Sequence, residues 1–456
     1  MPMNMQYERA FGLDLSKKTF HGCILDGPDL GSRHFFTGEM GQQGKAKLAG
    51  RLCKGDLVLM EAGTASFSLA RFLLENTEAE VVVLNPAKLY NIFNSSLKND
   101  KVDSEKIARI ARTMPRDEWP TVSIPTKEEQ AERSAVSLEV FLAREITMLV
   151  NRLYALFNSM GHPFIKKSDL KTEESRLTLA NRLLCEDSLA IEQAIMLSDQ
   201  IGNVTEQLEQ CKQRLRDICL SHPKEALSLL SIPGIGLMTA ASQIAFLGDG
   251  SRFDSPDSYV NYVGLSERRF DSGNKISKGH ISHMGNTCIR RNIIQAAWVA
   301  TKTSKGNPLA RKYDDLRLRG KSKPVAAVAV AKKMIQLSYI LVKSNGIYEF
   351  TKQQGLAAFR RRLQYHKLAQ LLDFLPEITK RQMEEIDRTK RMHTSNMHCS
   401  EGFQEFCITQ NRKIKWYIYK IFSLRYTSRI SSRDIRSRYL MCWNRLPMSL
   451  ALPSDH

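Results

Sequence analysis

The chain has 456 residues, with 67 Lys and Arg against 48 Asp and Glu, a net charge of +19. At 42% hydrophobic and 25% charged, with ordinary Gly and Pro usage, it is neither disordered nor fibrous, and it is too long for a single core. The positive charge points to a polyanionic partner but is uneven: residues 351–456 carry a net +11 and the first 350 a net +8.

The start, "MPMNMQYERAFGLDL", lacks the basic and apolar segments of a secretory signal, so a cytoplasmic protein is expected. "RAFGLDL" and "KTFHGCILD" read as strands joined by a short polar turn and "SRHFFTG" as a third strand. "GKAKLAGRLCKG" reads as a helix ending at Gly55. Then come strand "DLVLMEAG", helix "SFSLARFLLEN", strand "AEVVVLNP" and helix "DSEKIARIARTM". This order predicts a mixed sheet flanked by helices over residues 8–125, an α/β domain.

Residues 126–222 are expected to be helical. Leu138, Leu142, Ile146, Leu149, Leu153 and Leu156 recur at steps of three and four on one stripe. Ala194, Leu197, Ile201, Val204, Leu208, Cys211, Leu215 and Ile218 follow the alternating step of a coiled-coil seam. Two core helices of one chain, or an oligomer contact, satisfy that pattern equally.

Pro223 and "SIPGIG" open a third, mainly α-helical region, residues 223–346. It closes on "KPVAAVAVAKKMIQLSYILVKS", whose Lys332 and Lys333 argue against a membrane span. Residues 347–456 form a basic tail in which "FRRRLQYHKLAQLLDFL" suits one more helix; beyond about Thr389 no periodicity assigns a fold. The nine cysteines are scattered and lack a C-x-x-C pair, as reduced thiols would be. The spacing of His393, His398, Cys399 and Cys407 fits no zinc pattern.

Four carboxylates stand out. Asp14 sits inside an apolar strand, and Glu61 ends another, where sites gather in open α/β sheets. Asp100 and Asp103, three apart at a helix start, share a face. The plain alternatives are an edge strand for Asp14 and helix capping for Asp103. If the two strands are neighbours and the helix crosses them, the four meet above the sheet. Such like charges need a cation, and oxygen ligands suit Mg²⁺ or Mn²⁺. The order of elements is that of the RNase H-like fold, and these carboxylates fall where that fold carries metals.

"SKGHISHMGNTCIRRN" sets Ser282 between two histidines. Its spacing, G-x-x-S-x-x-G, is not the G-x-S-x-G of a hydrolase elbow, and flanking histidines need not reach the hydroxyl. A loop serine or a helix N-cap is the plain alternative.

"FGLDLSKKTF", "LVLMEAGTAS", "LKNDKVDSEKIARIAR", "SIPGIGLMTAASQIAFLGD", "FDSPDSYVNYVGL" and "GHISHMGNTCIRRNIIQAA" together resemble the DEDD transposases of bacterial insertion sequences, relatives of pilin-gene invertases and bridge-RNA-guided recombinases. The resemblance runs in order over roughly residues 9–345. It implies a RuvC-like, RNase H-related N-terminal domain whose acidic residues match Asp14, Glu61, Asp100 and Asp103 and hold Mg²⁺ or Mn²⁺. It also implies a C-terminal transposase domain with Ser282 as nucleophile. Ser277, in "KISKGH", is the other serine in a similar motif; His283 stands where the family usually has Lys. The implied reaction cuts and rejoins donor and target DNA through a phosphoserine. The implied assembly is a homo-oligomer, dimer to tetramer, guided by a bridge RNA and nucleoid-associated.

Gly234 and Gly236 resemble the glycine turn of a helix-hairpin-helix, or are simply a tight helix entry. Arg290 and Arg291 follow Ser282, and on a helix only one of them faces a scissile phosphate; Arg290 is favoured. Lys17, Lys98 and Lys101 flank the carboxylates and are further candidates for nucleic-acid contact. Two other functions remain in view: a metal-dependent structure-specific nuclease of RuvC type, without serine chemistry, and a non-catalytic nucleic-acid scaffold.

Overall fold

The computed structural model describes residues 7–27, 32–86, 88–89, 100–272, 275–302 and 306–398. Among these, residues 7–354 with 358–380 make one compact unit, and 355–357 with 381–398 another.

The chain begins with three antiparallel strands, β1 (Arg9–Leu15), β2 (Thr19–Asp26) and β3 (Arg33–Glu39), followed by helix α1 (Gln42–Ala49). The helix expected to reach Gly55 stops at Ala49, with Gly50 as its cap. The next residues are committed to holding the buried carboxylate of Asp56. The Cys53 N–H donates to Asp56 Oδ2 at 2.7 Å and Arg9 Nε to Oδ1 at 2.9 Å. A buried carboxylate needs such donors, and a continuing helix would not supply them.

β4 (Leu57–Glu61), α2 (Ser66–Asn76), β5 (Glu80–Leu84), α3 (Asp100–Thr113) and the short β6 (Thr121–Val122) complete a six-stranded sheet of order β3-β2-β1-β4-β5-β6. β1, β4 and β5 are parallel; β6 returns antiparallel. Alternation divides the strands between two cores. Phe11, Leu13, Val58 and Met60 pack with Leu48 of α1 and Leu69 and Leu73 of α2. On the opposite face, Ala10 meets Ala108 of α3, while Leu57 and Leu59 meet Ile107 and Ile110.

α4 (Lys127–Ser159) starts at a capping box in which Thr126 Oγ1 accepts the Glu129 N–H and Glu129 accepts the Thr126 N–H. After α5 (Glu173–Leu183), α6 (Ser188–Ser221) runs back along α4. Leu142 packs near Val204 and Cys211, and Phe157 near Ala190 and Ala194, so the two are antiparallel. The 194–218 seam thus finds its partner inside its own chain.

α7 (Pro223–Ser231), α8 (Leu237–Leu247), α9 (Pro256–Val263), α10 (Thr287–Lys302), α11 (Pro308–Leu318) and α12 (Lys323–Ser344) follow, interrupted by a two-stranded hairpin, β7 (Glu267–Ser272) and β8 (Lys275–Ile281). α12 is apolar and long enough to cross a membrane, yet Ala326, Val330, Ala331, Met334 and Ile335 are fully buried in the protein. The architecture is α/β followed by α.

Part of the expected tail completes this core. In α13 (Glu349–Gln354) the Thr351 hydroxyl donates to the Ser231 carbonyl at 2.6 Å. In α14 (Leu356–Tyr365) Arg362 donates to the same carbonyl at 3.2 Å and to Thr351 Oγ1 at 3.1 Å. Burial lowers the Arg362 pKa to about 10, still charged at neutral pH. The last described helix is α15 (Glu377–His398). Within the second unit, Asp387 Oδ2 accepts the Ala357 N–H at 2.8 Å. The His393, His398, Cys399 and Cys407 side chains lie outside the description.

Candidate active site

The acidic site is built by strand periodicity. In β1, Ala10, Gly12 and Asp14 share the α3 face of the sheet; in β4, Leu57, Leu59 and Glu61 do. The strands pair in parallel with Gly12 beside Leu59 and Leu13 beside Met60, so one more step of register sets Asp14 beside Glu61 at both C-terminal ends. α3 lies over this face, and Asp100 and Asp103 fall in its first turn.

Gly12 controls how closely it lies. A Cβ there would stand 2.2 Å from the Ser104 carbonyl oxygen and 2.3 Å from the Ala108 nitrogen. Only a hydrogen side chain lets helix backbone rest on strand backbone at this point.

Electrostatics shows the result. The half-buried Glu61 carboxyl titrates above its ordinary range, first because burial disfavours its charge and then because Asp14 and Asp103 repel it. Two of the other three acids therefore act on Glu61. Asp103 Oδ1 also accepts from Lys106 at 3.1 Å, an i,i+3 pair on α3. The donor chemistry, carboxylate oxygen throughout, fits a hard divalent cation. Among the described residues, however, no three His, Cys, Asp or Glu side chains form a ready ligand cluster. The Asp100 side chain lies outside the described residues, as does Lys98. Lys17 is exposed in the β1–β2 turn and Lys101 is exposed on α3.

Ser282 follows β8 directly. Its N–H donates to the Ser266 carbonyl at 2.8 Å, its carbonyl accepts from Arg268 Nη2 at 2.9 Å, and its hydroxyl lies 3.5 Å from Ser266 Oγ. Ser266 and Arg268, which sequence reasoning missed, hold its backbone. Among the described residues neither His280 nor His283 bonds the hydroxyl, which removes the hydrolase-like pairing. Nor is Ser282 a helix cap: Asn286 Oδ1 accepts the Ile289 N–H at 3.1 Å and caps α10. The Ser277 side chain lies outside the description.

His283 is left-handed, with φ +55, an uncommon conformation for a residue with a Cβ. It turns the chain toward the end of α9, where the loop is fastened. The Asn286 N–H donates to the Tyr262 carbonyl at 2.9 Å. Gly285, at φ +152, has no space for a Cβ: one would stand 2.4 Å from that carbonyl oxygen.

Arg290, the arginine favoured for phosphate, donates from Nη1 to the Val263 carbonyl at 3.0 Å and so caps α9. Arg291 is exposed. Gly234, at φ +88, faces the backbone of α10, with a Cβ placed 2.2 Å from the Ala296 carbonyl oxygen; Gly236 is the N-cap of α8. The glycine turn is thus packed against a helix as a close approach. The missed hairpin had a sequence signal in Gly273-Asn274 between two short polar-apolar runs.

Comparison with known proteins supplies family context. A DEDD transposase model of the IS110 group matches residues 11–161, and a model described as "Transposase IS116/IS110/IS902 family" matches residues 226–314. The transposase for insertion sequence element IS1328 of Yersinia enterocolitica is 26% identical, over 74% of this chain and 97% of its own length. That for IS1111A of Coxiella burnetii is 24% identical, over 76% and 92%. The pilin gene-inverting protein of Moraxella bovis is 23% identical, over 73% and 95%. The acidic face lies in the first matched segment and the Ser282 loop in the second, so each candidate site falls in a segment similar to transposases of the IS110 family of insertion sequences.

Proposed function

We propose that the protein cuts and rejoins DNA as the recombinase of an insertion sequence, with an RNase H-like acidic domain and Ser282 as nucleophile. The observation that carries this reading is the acidic face itself: Glu61 is raised by burial and by Asp14 and Asp103 on the C-terminal ends of two adjacent parallel strands. The sheet order, three antiparallel strands followed by parallel β4 and β5, supports the RNase H-like assignment.

In this reading Ser282 Oγ attacks a backbone phosphorus. A P–O–Ser bond forms, the bond to the 3′ oxygen breaks, and the proton lost by the hydroxyl is balanced by the one the 3′ oxygen gains. One end then carries phosphoserine and the other a 3′ hydroxyl. Rejoining reverses the step, so no nucleotide cofactor is consumed. A serine hydroxyl is a weak nucleophile, which is why a second constellation is needed. Asp14, Glu61, Asp100 and Asp103 would hold Mg²⁺ or Mn²⁺, whose chemistry is to stabilise charge on phosphate and leaving oxygens. Among the described residues the hydrogen bonds of Ser282 go to Ser266 and Arg268, and we assign the composite site to a dimer or tetramer in which the acids come from another protomer. We assign the choice of donor and target to an element-encoded bridge RNA; RNA that co-purifies and pairs with both sites is the expected finding.

The test is incubation with donor DNA, target DNA, Mg²⁺ and element RNA, followed by denaturing electrophoresis. Ser282→Ala removes the protein–DNA adduct. Cleavage that survives Ser282→Ala but fails in Asp14→Ala would instead establish a metal-dependent nuclease.

A further inference from the structure

The segment from Pro308 to Lys333 carries eight Lys and Arg against two Asp. Its basic groups converge in space. Arg311, Lys312 and Arg319, with Asp315, line an open cleft of about 460 Å³ on α11. α12 packs beside α11 and brings Lys332 and Lys333 within range of Lys312. The Lys312 amine titrates below the ordinary lysine range, by burial first and then by repulsion from Lys333 and Lys332. Among the described residues none of these three lysines forms an ion pair or hydrogen bond.

The platform beneath them is held by hydrogen bonds and ring packing. Fully buried Asn307 donates to the Ala300 carbonyl at 3.1 Å and accepts the Leu309 N–H at 3.1 Å, fixing the start of α11 on the end of α10. Trp298 of α10 meets Tyr313 of α11 edge to face at 6.0 Å. The apolar side of α12 is buried without help from its lysines. Packing accounts for the helices and leaves the clustered cations without a role in folding, where their mutual repulsion is a cost. A polyanion with closely spaced charges offsets that cost.

We propose that Lys312, Lys332 and Lys333, with Arg311 and Arg319 at the cleft, form a seat for the sugar–phosphate backbone of duplex DNA. The seat is separate from the Ser282 loop and holds DNA irrespective of sequence, as phosphate contacts do. This rests on the DNA-acting function proposed above, but binding is read without strand chemistry, so the two fail separately.

The test measures affinity of the full chain for a fluorescent DNA duplex between 50 and 200 mM salt. The triple variant Lys312→Gln, Lys332→Gln, Lys333→Gln should bind at least tenfold more weakly. Its plot of log affinity against log salt should be shallower by about 2 to 3, at roughly 0.9 per lost phosphate contact. Its melting temperature should be equal to or above that of the parent, because repulsion has been removed. The matching triple Lys→Arg variant should keep both affinity and slope. Unchanged affinity and slope in the Gln variant overturn the proposal. So does a loss confined to an RNA duplex, or a Lys→Arg variant as weak as the Gln variant.

Discussion

Gly12→Ala tests whether the approach of α3 to β1 sets the geometry of the acidic site. The added methyl carbon would lie 2.2 Å from the Ser104 carbonyl oxygen, 2.3 Å from the Ala108 nitrogen and 2.8 Å from the Ala108 Cβ. Unstrained contact begins near 3.4 Å, so the helix must retreat by about 1 Å. Two of the three obstacles are main-chain atoms, which no rotamer change can move aside. Overpacking of this kind costs roughly 1–3 kcal/mol, at about 2–4 °C of melting temperature per kcal/mol for domains of moderate size. The same retreat carries Asp103 away from Asp14 and Glu61, and a 1 Å misplacement costs on the order of 100-fold in rate. Thermal unfolding followed by circular dichroism reads the first effect, and Mg²⁺-dependent formation of the protein–DNA adduct reads the second. Adding Ala108→Gly should not rescue the variant, because it removes only the Cβ contact. Parental melting and full adduct yield in Gly12→Ala would refute the reasoning, as would complete rescue by the double variant.

The remaining predictions concern other parts of the fold. His222 Nε2 lies 2.8 Å from Glu132 Oε1, and that bond, ahead of the opposing effect of burial, raises the imidazole pKa. The stabilisation is complete below the ordinary value of 6.5 and is lost as pH rises through the raised one. Melting curves of the parent and His222→Gln should therefore differ most below pH 6.5 and converge above the raised pKa; a constant offset would contradict this. Gly285→Ala should displace the Ser282 loop and lower adduct yield tenfold or more while duplex affinity is kept, so a fully active variant would break the link between fastening and chemistry. A chain ending at residue 346 loses Thr351 and Arg362 from Ser231 and should melt several degrees lower than the parent; equal melting would contradict this.

Much of this was legible in the residues. Alternation in "RAFGLDL" and "LVLMEAG" dictated which residues face α3, and it put Asp14 and Glu61 on one side at the strand ends. The three-four step of residues 194–218 dictated one apolar stripe, because a helix repeats its faces every 3.6 residues. Local periodicity says which face of an element is apolar but not what covers it. Tertiary structure decided that the stripe meets α4 of the same chain. It decided that Arg290 caps α9, and that Gly12 and Gly234 are glycines because backbone presses on backbone there. It also drew residues 349–354 and 358–375 into the core, where Leu363, Leu368 and Leu371 are fully buried, although their sequence reads as the start of a basic tail. Those outcomes depend on atoms brought together from distant parts of the chain, and no short stretch of sequence contains both partners.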